Sequence, residues 1–284
     1  NFIEGIDVEN IYSSEATYFM NLEPIKLKLT GYYSRFQNMN EVSFFFAQGL
    51  SGLEESSDFV SEIMTGSNRD HYGIEFGVES KISSTLKASG AVAFGEYIYT
   101  NNPNLYLTSD DIRGFADYGT TYIENYKVPG TPQRGYSLGL EYRNPNYWWL
   151  SANGNYLSNN YIDISPILRT QKFYVNPDDP DGFPFANASE NEARRLLTQE
   201  KFDELFLLNF FSGKSWKIDN YYIGVILSVN NILDNRYKSG GYEQSRNANF
   251  NLLKEDIDSS SRIFGPRYWY GYGRTYYLNI YFRF

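Results

Sequence analysis

Apolar and polar residues alternate with a period of two in segment after segment of this 284-residue chain. The last ten residues give the clearest case, with one apolar face formed by Tyr276, Leu278, Ile280, Phe282 and Phe284. Successive side chains of a β-strand point to opposite faces, so this period predicts strands with one apolar and one polar face. The fold is therefore predicted to be all-β.

The same alternation occurs in five further segments. They cover residues 25–33, 72–78, 136–142, 148–156 and 221–229. Alternation alone leaves two alternatives open, because the apolar face meets a second sheet in a soluble sandwich and lipid in a membrane barrel.

The connections between the predicted strands are short and long in turn. Tight turns are predicted near residues 22–24, 83–85, 144–146 and 212–215. Long connections are predicted over residues 37–70, 101–133, 160–201 and 231–273. Short periplasmic turns and long extracellular loops are typical of an outer-membrane barrel, and the order here places the C-terminus in the periplasm. We therefore predict a transmembrane antiparallel β-barrel in the bacterial outer membrane.

Counting back from the C-terminus gives nine predicted strands, the first over residues 8–19. Bacterial single-chain barrels have an even number of strands, and an unclosed sheet would expose two edges to lipid. We expect residues 1–284 to form the C-terminal portion of a larger barrel whose first strands are absent from this chain.

The amino-acid composition favours a barrel and excludes several other classes of protein. The chain has 27 Tyr, 21 Phe and 4 Trp, and aromatic rings are concentrated at both rims of outer-membrane barrels. The net charge of −9 argues against a nucleic-acid partner, which requires a basic face. A mean hydropathy of −0.50 without a long apolar run excludes a helical membrane protein. The absence of cysteine excludes disulfides and thiolate metal sites.

The long connections contain predicted local structure. Residues 42–47 and 59–64 are predicted to be short strands that extend above the membrane. Ser189 and Glu192 have the spacing of a capping box, so one short helix containing Ala193 and Leu196 is predicted to follow.

Aromatic and arginine residues of the long connections are the candidate substrate-binding groups. They are Tyr97, Tyr99, Tyr106, Tyr122, Arg169 and Arg246. Tyrosine rings stack on sugars and apolar groups, and arginine binds anionic groups. The alternative is that the rings pack the loops against one another.

Asp178, Asp179 and Asp181 form an acidic turn and are weak candidates for binding calcium, which prefers oxygen ligands. A proline occupies the first position of the EF-hand pattern, and no glutamate follows at the required spacing. A solvated turn is the alternative. No other metal site and no cofactor are predicted.

Two motifs in the C-terminal third resemble TonB-dependent outer-membrane receptors. Residues 229–237, Val-Asn-Asn-Ile-Leu-Asp-Asn-Arg-Tyr, are similar to the segment that ends the penultimate strand of that family. Residues 264–268, Phe-Gly-Pro-Arg-Tyr, and the closing strand to Phe284 resemble its C-terminal ending. Segments 240–247 and 268–273 and the region 32–100 resemble family members of the Bacteroidota, which include the SusC-like branch.

This resemblance implies an N-terminal plug domain and a barrel of about 22 strands, of which this chain would supply the last nine. It implies TonB-dependent import of a nutrient, such as an oligosaccharide, a peptide or a metal chelate, into the periplasm. The implied partners are the TonB–ExbB–ExbD system acting through the plug, outer-membrane lipids and lipopolysaccharide, and a SusD-like or other surface lipoprotein. The alternating residues 276–284 resemble the signal read by the barrel-assembly machinery.

Two other functions stay open at this stage. One is a receptor-like barrel that acts as a structural or assembly subunit of an outer-membrane complex. The other is a barrel enzyme, which would need a catalytic group near the rim. The only histidine is His71 and no serine–histidine arrangement is recognisable, so we expect that the chain is not an enzyme.

Overall fold

The computed structural model describes residues 3, 6–48, 57–109, 114–246 and 249–284. The sheet strands are β1 (Asn10–Leu22), β2 (Ile25–Gln48), β3 (Ser57–Lys81), β4 (Leu86–Tyr99), β5 (Asn104–Thr108), β6 (Ala116–Thr120), β7 (Arg134–Asn144), β8 (Trp148–Ser158), β9 (Leu205–Ile218) and β10 (Tyr221–Asn230). The others are β11 (Lys238–Tyr242), β12 (Arg267–Tyr270) and β13 (Thr275–Arg283), with helices α1 (Glu190–Leu196) and α2 (Phe250–Asp258).

Nine strands form one antiparallel path in the order β1-β2-β3-β4-β7-β8-β9-β10-β13. Strands β5 and β6 extend the sheet beside the far end of β3, and β11 pairs with β12. The prediction of nine antiparallel strands is confirmed. Within the described residues, neither helix is long and apolar enough to cross a membrane.

The two faces of the sheet differ in character. On one face, large apolar side chains are exposed, with Leu138 74% and Ile280 68% exposed. The other face, here called the inner face, carries small and polar residues that line a groove, among them Lys28, Thr30, Glu75, Ser137 and Asn155. A soluble protein seldom exposes so continuous an apolar surface, whereas a barrel wall needs it against lipid.

Three of the four predicted tight turns are confirmed, and the fourth is wrong. The residues predicted to turn at 212–215 continue β9, and the chain reverses at Asp219 and Asn220 instead. Asp219 has φ +52°, a left-handed conformation that aspartate tolerates. Gly213 is not a turn residue, because it lies opposite Trp149 on β8. A Cβ there would be 2.4 Å from Nε1 of that indole.

The predicted connection 37–70 is mostly strand. Strands β2 and β3 continue far past the first residue of β1, Asn10, which pairs with Gln37. Residues 41–48 and 57–64, here called the β2–β3 extension, confirm the predicted strands at 42–47 and 59–64. Register shifts between Phe36 and Glu41 mark where the extension begins.

The predicted helix is confirmed as α1, since the Ser189 side chain accepts a hydrogen bond from the Glu192 N–H. A second helix, α2, lies in the connection between β10 and β13, and the sequence reasoning missed it. Its N-cap is Asn249, whose side chain accepts from the Leu252 N–H. Without a glutamate three residues later, this cap has only half of the capping-box signature.

The buried core lies at one end of the sheet, where the β2–β3 extension, the end of β4 and strand β5 pack against the long connections. It includes Val60, Met64, Tyr99, Leu105, Leu107, Ile123, Ile164, Ile167, Phe173, Leu196, Phe250 and Leu253. Tyr99 has the same parity on β4 as Ala91 and Ala93 of the inner groove. This loop core therefore covers the inner face at the end opposite the tight turns.

Candidate functional site

The loop core contains one small cavity, lined by Leu196 and Leu253 among others, and two larger ones. The first of the larger two, here called the acidic cavity, has a volume of about 540 Å³, and Glu41, Glu62, Asp163 and Glu243 line it. The second, here called the tyrosine cleft, has a volume of about 690 Å³ and is lined by Tyr122, Tyr126, Tyr174 and α1 residues. Both lie within the usual size range of small-molecule sites.

Arg169 joins the loops around both cavities. Its guanidinium donates to Glu243 Oε2 at 2.6 Å and Oε1 at 3.0 Å, and to the Leu197 carbonyl at 2.9 Å. It also lies 4.5 Å from the centre of the Tyr126 ring. Desolvation opposes the charge of Arg169, but the ion pair with Glu243 outweighs it and raises the pKa. This pairing leaves little of Arg169 for an anionic substrate, although it lines the tyrosine cleft.

Glu62 is the most buried carboxylate of the acidic cavity, with 4% of its surface exposed. Ser43 donates to its Oε1 at 3.1 Å. Oε2 has no partner of hydrogen-bond geometry among the described residues, although the Ile167 N–H approaches the carboxylate. Desolvation dominates, so the pKa of Glu62 is raised to about 7.

Asp163, in the connection between β8 and β9, lines the same cavity as Glu62. Its side chain is solvent-exposed. Although the residue reaches solvent, partial desolvation by the surrounding protein raises the pKa of Asp163 to about 6, and the carboxylates of Glu41 and Glu243 add to the shift. Glu41 and Glu243 are themselves paired, with Arg69 and Arg169 respectively.

The predicted substrate residues are dispersed rather than gathered in one site. Tyr99 is 4% exposed, lines the acidic cavity and carries Arg69 over its ring at 5.2 Å. Tyr122 is 48% exposed and lines the tyrosine cleft. Their roles in binding stay predictions.

The other candidates lie in neither cavity. Tyr97 hydrogen-bonds Tyr32 on the inner face, with 2.9 Å between the hydroxyl oxygens. Tyr106 is half-buried on β5 opposite Ile63. The Arg246 guanidinium lies between two rings, 4.8 Å from Phe46 and 4.6 Å from Phe264.

Residues of the acidic turn hydrogen-bond to one another. The Asp181 N–H donates to Asp179 Oδ1 at 2.9 Å, and Asp178 and Asp181 are exposed. In the part of the chain that the structure describes, no three acidic or histidine side chains are grouped to hold a metal ion.

The sequence reasoning missed Glu62, Asp163 and Trp269, which line the acidic cavity. Glu62 alternates with Val60 and Met64 on the buried face of β3. The sequence does contain a signal for Glu62, because a carboxylate occupies a position where the two-residue alternation predicts an apolar side chain. Asp163 and Trp269 come from other connections, and nothing local marks them.

The fold is similar to those of solved outer-membrane receptors, whereas no family model and no curated protein matches the chain. The copper transporter OprC matches with a TM-score of 0.51 and 13% identity, over 98% of this chain and 32% of that chain. The ferric-catecholate import receptor Fiu from E. coli K12 matches with a TM-score of 0.49 and 13% identity, over 96% and 27%. FpvA of P. aeruginosa, solved with pyoverdines, matches with 0.45 and 10% identity, over 98% and 31%.

These structures are TonB-dependent outer-membrane receptors. At such identities the likeness shows the fold alone: the nine-strand sheet has the architecture of part of their β-barrel. The chain spans about a third of the length of each of these three structures.

Proposed function

We infer that this chain is the C-terminal part of the barrel of a TonB-dependent outer-membrane transporter, which imports a nutrient into the periplasm. The observation that carries the proposal is the sheet with one bare apolar face and a loop core over one end of its inner face. In the described chain, β1 and β13 each pair with a single neighbour. Because lipid does not tolerate open sheet edges, further strands close this barrel.

The loop core is the proposed extracellular end, where substrate first binds. Its two larger cavities are concave, partly aromatic and held in place by buried contacts, as ligand sites usually are. Tyr99, in the acidic cavity, and Tyr122, in the tyrosine cleft, are the proposed contacts among the predicted residues. The tight turns and the C-terminus then lie in the periplasm.

Energy coupling is proposed to come from the TonB–ExbB–ExbD system through an upstream plug domain. The alternating residues 276–284 are the proposed contact with the barrel-assembly machinery. A surface lipoprotein of the SusD-like kind, together with membership of the Bacteroidota branch, rests only on the segments 240–247 and 268–273 and the region 32–100. Outer-membrane lipid and lipopolysaccharide cover the apolar face in this proposal.

Labelling of introduced cysteines tests the orientation. This chain contains no cysteine, so Asp178→Cys in a loop and Asn220→Cys in a tight turn each add one thiol to it. On intact cells that make the full-length protein, an impermeant maleimide should label Asp178→Cys and not Asn220→Cys. After lysis both should react, and the unsubstituted protein gives the background. Labelling of the turn alone on intact cells would refute the orientation.

Transport is tested by uptake with and without energy coupling. Cells expressing the full-length protein should take up at least one nutrient of a radiolabelled panel of glycans, peptides and metal chelates. That uptake should stop when TonB is removed. Uptake that is unchanged without TonB would contradict the proposed mechanism.

A further inference from the structure

The acidic cavity contains two carboxylates that no cationic side chain pairs with in the described part of the chain. Of its four acidic residues, Glu41 and Glu243 form ion pairs with Arg69 and Arg169. Neither Glu62 nor Asp163 takes part in an ion pair among the described residues. They come from β3 and from the β8–β9 connection, and the charge of Asp163 adds to the raised pKa of Glu62. The cavity is therefore locally short of positive charge.

Of the two carboxylates, Glu62 gives the stronger evidence for a ligand. It is more than nine-tenths buried and lines the cavity. Its Oε2 has no partner of hydrogen-bond geometry among the described residues, although the Ile167 N–H approaches the carboxylate. A buried carboxylate oxygen without a partner costs free energy, so native proteins usually satisfy such groups. The cavity beside it has about 540 Å³ in which a donor from outside the chain fits.

Aromatic rings complete the lining. Tyr242 and Trp269 are 42% and 57% exposed and both line the cavity. Their ring centres are 5.7 Å apart, with the planes tilted by 43°. The negative face of such rings attracts ammonium groups, and their apolar surface attracts the methylene groups beside them.

We propose that the acidic cavity binds a small organic cation, with ammonium groups at Glu62 and Asp163 and its alkyl chain against Tyr242 and Trp269. The described residues provide no group of three acidic, histidine or cysteine side chains for a metal ion, so an organic cation is the ligand proposed. An anion does not fit, because Glu62 and Asp163 would repel it. This inference goes beyond the proposed function, which names no ligand, and binding is measured without transport.

Binding should weaken as pH falls, because an ammonium ion prefers ionised carboxylates. The pKa values of Glu62 and Asp163, about 7 and about 6, place the change between mildly acidic and mildly basic pH. The other charged or titratable groups around the two carboxylates are Glu41, Arg69, Tyr99, Arg169 and Glu243. The pKa of Tyr99 is raised by burial, so it stays neutral over this range, and the two arginines stay charged.

Calorimetric titration of the full-length protein in detergent tests the site with the diamine cadaverine. We expect saturable binding near pH ~8 and an affinity at least about tenfold lower near pH ~5.5, since the diamine stays charged throughout. The neutral diol of the same length should not bind at either pH. Absence of diamine binding, equal binding of the diol or an affinity independent of pH would each overturn the proposal.

Two isosteric variants locate the binding. Glu62→Gln and Asp163→Asn should each weaken diamine binding at least about tenfold, while Asp178→Asn, the same charge change in the exposed turn, should leave it unaltered. Equal affinity in all three variants would place the diamine elsewhere and overturn the assignment. If a cavity variant fails to fold, the pH series on the unaltered protein still decides the question.

Discussion

Close approaches between neighbouring strands fix several residues of the sheet. Gly213 carries no side chain because the Trp149 indole occupies the space above it, with Nε1 2.4 Å from where a Cβ would be. Gly224 is similar, since a Cβ there would lie 2.0 Å from the Tyr281 ring. The Tyr281 hydroxyl is in turn 2.6 Å from that of Ser215. Such glycines serve packing across strands and leave no local signal that separates them from turn residues.

Gly213→Ala should destabilise the folded barrel, because the added methyl group forces Trp149 to move. Overpacking of this kind costs roughly 1–3 kcal/mol, measured as a lower urea midpoint of the full-length protein in micelles. Gly77→Ala is the matched control, since Gly77 also lies in a strand and a Cβ there meets nothing within 4 Å. Equal destabilisation by both variants would refute the packing role.

Arg169 is charged and buried, so removal of its charge should destabilise the loops around it. Arg169→Met leaves Glu243 without its partner in a site where the side chains are 1% and 14% exposed, which costs about 3–5 kcal/mol. We expect residues 160–201 to become sensitive to protease while the sheet stays folded. Arg194→Met, at an arginine of α1 that is 73% exposed, should have almost no effect. Protease resistance equal to that of the unaltered protein would contradict this role.

At the scale of elements, the strands were predictable and the architecture of the loops was not. Period-two patterns located six of the nine strands because each of these strands has two faces in different environments. The other three followed from the rhythm of short and long connections. The cap at Ser189 located α1 because capping is a local interaction. The packing of α1 on α2 depends on contacts across distant sequence, such as Lys254 to Glu192 at 2.8 Å and Arg195 to Asp258 at 3.0 Å. The acidic cavity is drawn from four connections, so no single segment indicates it.

The β2–β3 extension should become less stable as pH rises. The pKa of Glu62 is raised to about 7 in the fold, above its ordinary value, so the folded state binds the proton more tightly than the unfolded state. Stability is then highest below the unfolded pKa and falls as pH rises through about 4.5 to 7, by up to roughly 3 kcal/mol. Asp163, with a folded pKa of about 6, shifts stability in the same direction.

Glu62→Gln should remove most of this pH dependence, because glutamine stays neutral. Hydrogen exchange of residues 57–64, corrected for the intrinsic effect of pH, should show more protection in the variant than in the unaltered protein near pH ~8 and equal protection near pH ~5. Glu124→Gln, in the exposed part of the tyrosine cleft, is the control. A pH dependence that survives in Glu62→Gln would assign it to another group.

In the whole molecule, the sheet and the loop core have different roles. The sheet presents exposed apolar side chains on one face, while the buried residues that hold the fold together lie at one end of the sheet and in the connections packed there. In water this arrangement is unfavourable, because burial of apolar surface is the main stabilising contribution to folding. In a bilayer the lipid takes up the apolar face, so the loop core is free to shape binding cavities.

Leu138→Arg distinguishes these two environments. Leu138 lies mid-strand on β7 and is 74% exposed, so in a soluble protein the change would alter stability by less than about 0.5 kcal/mol. On the lipid face of a barrel an arginine costs roughly 2–4 kcal/mol near the bilayer midplane. We expect the full-length variant to refold into lipid vesicles with that loss of stability. Ser137→Arg, one residue away on the inner groove, should be tolerated there. If both variants are equally stable in vesicles, the apolar face does not meet lipid.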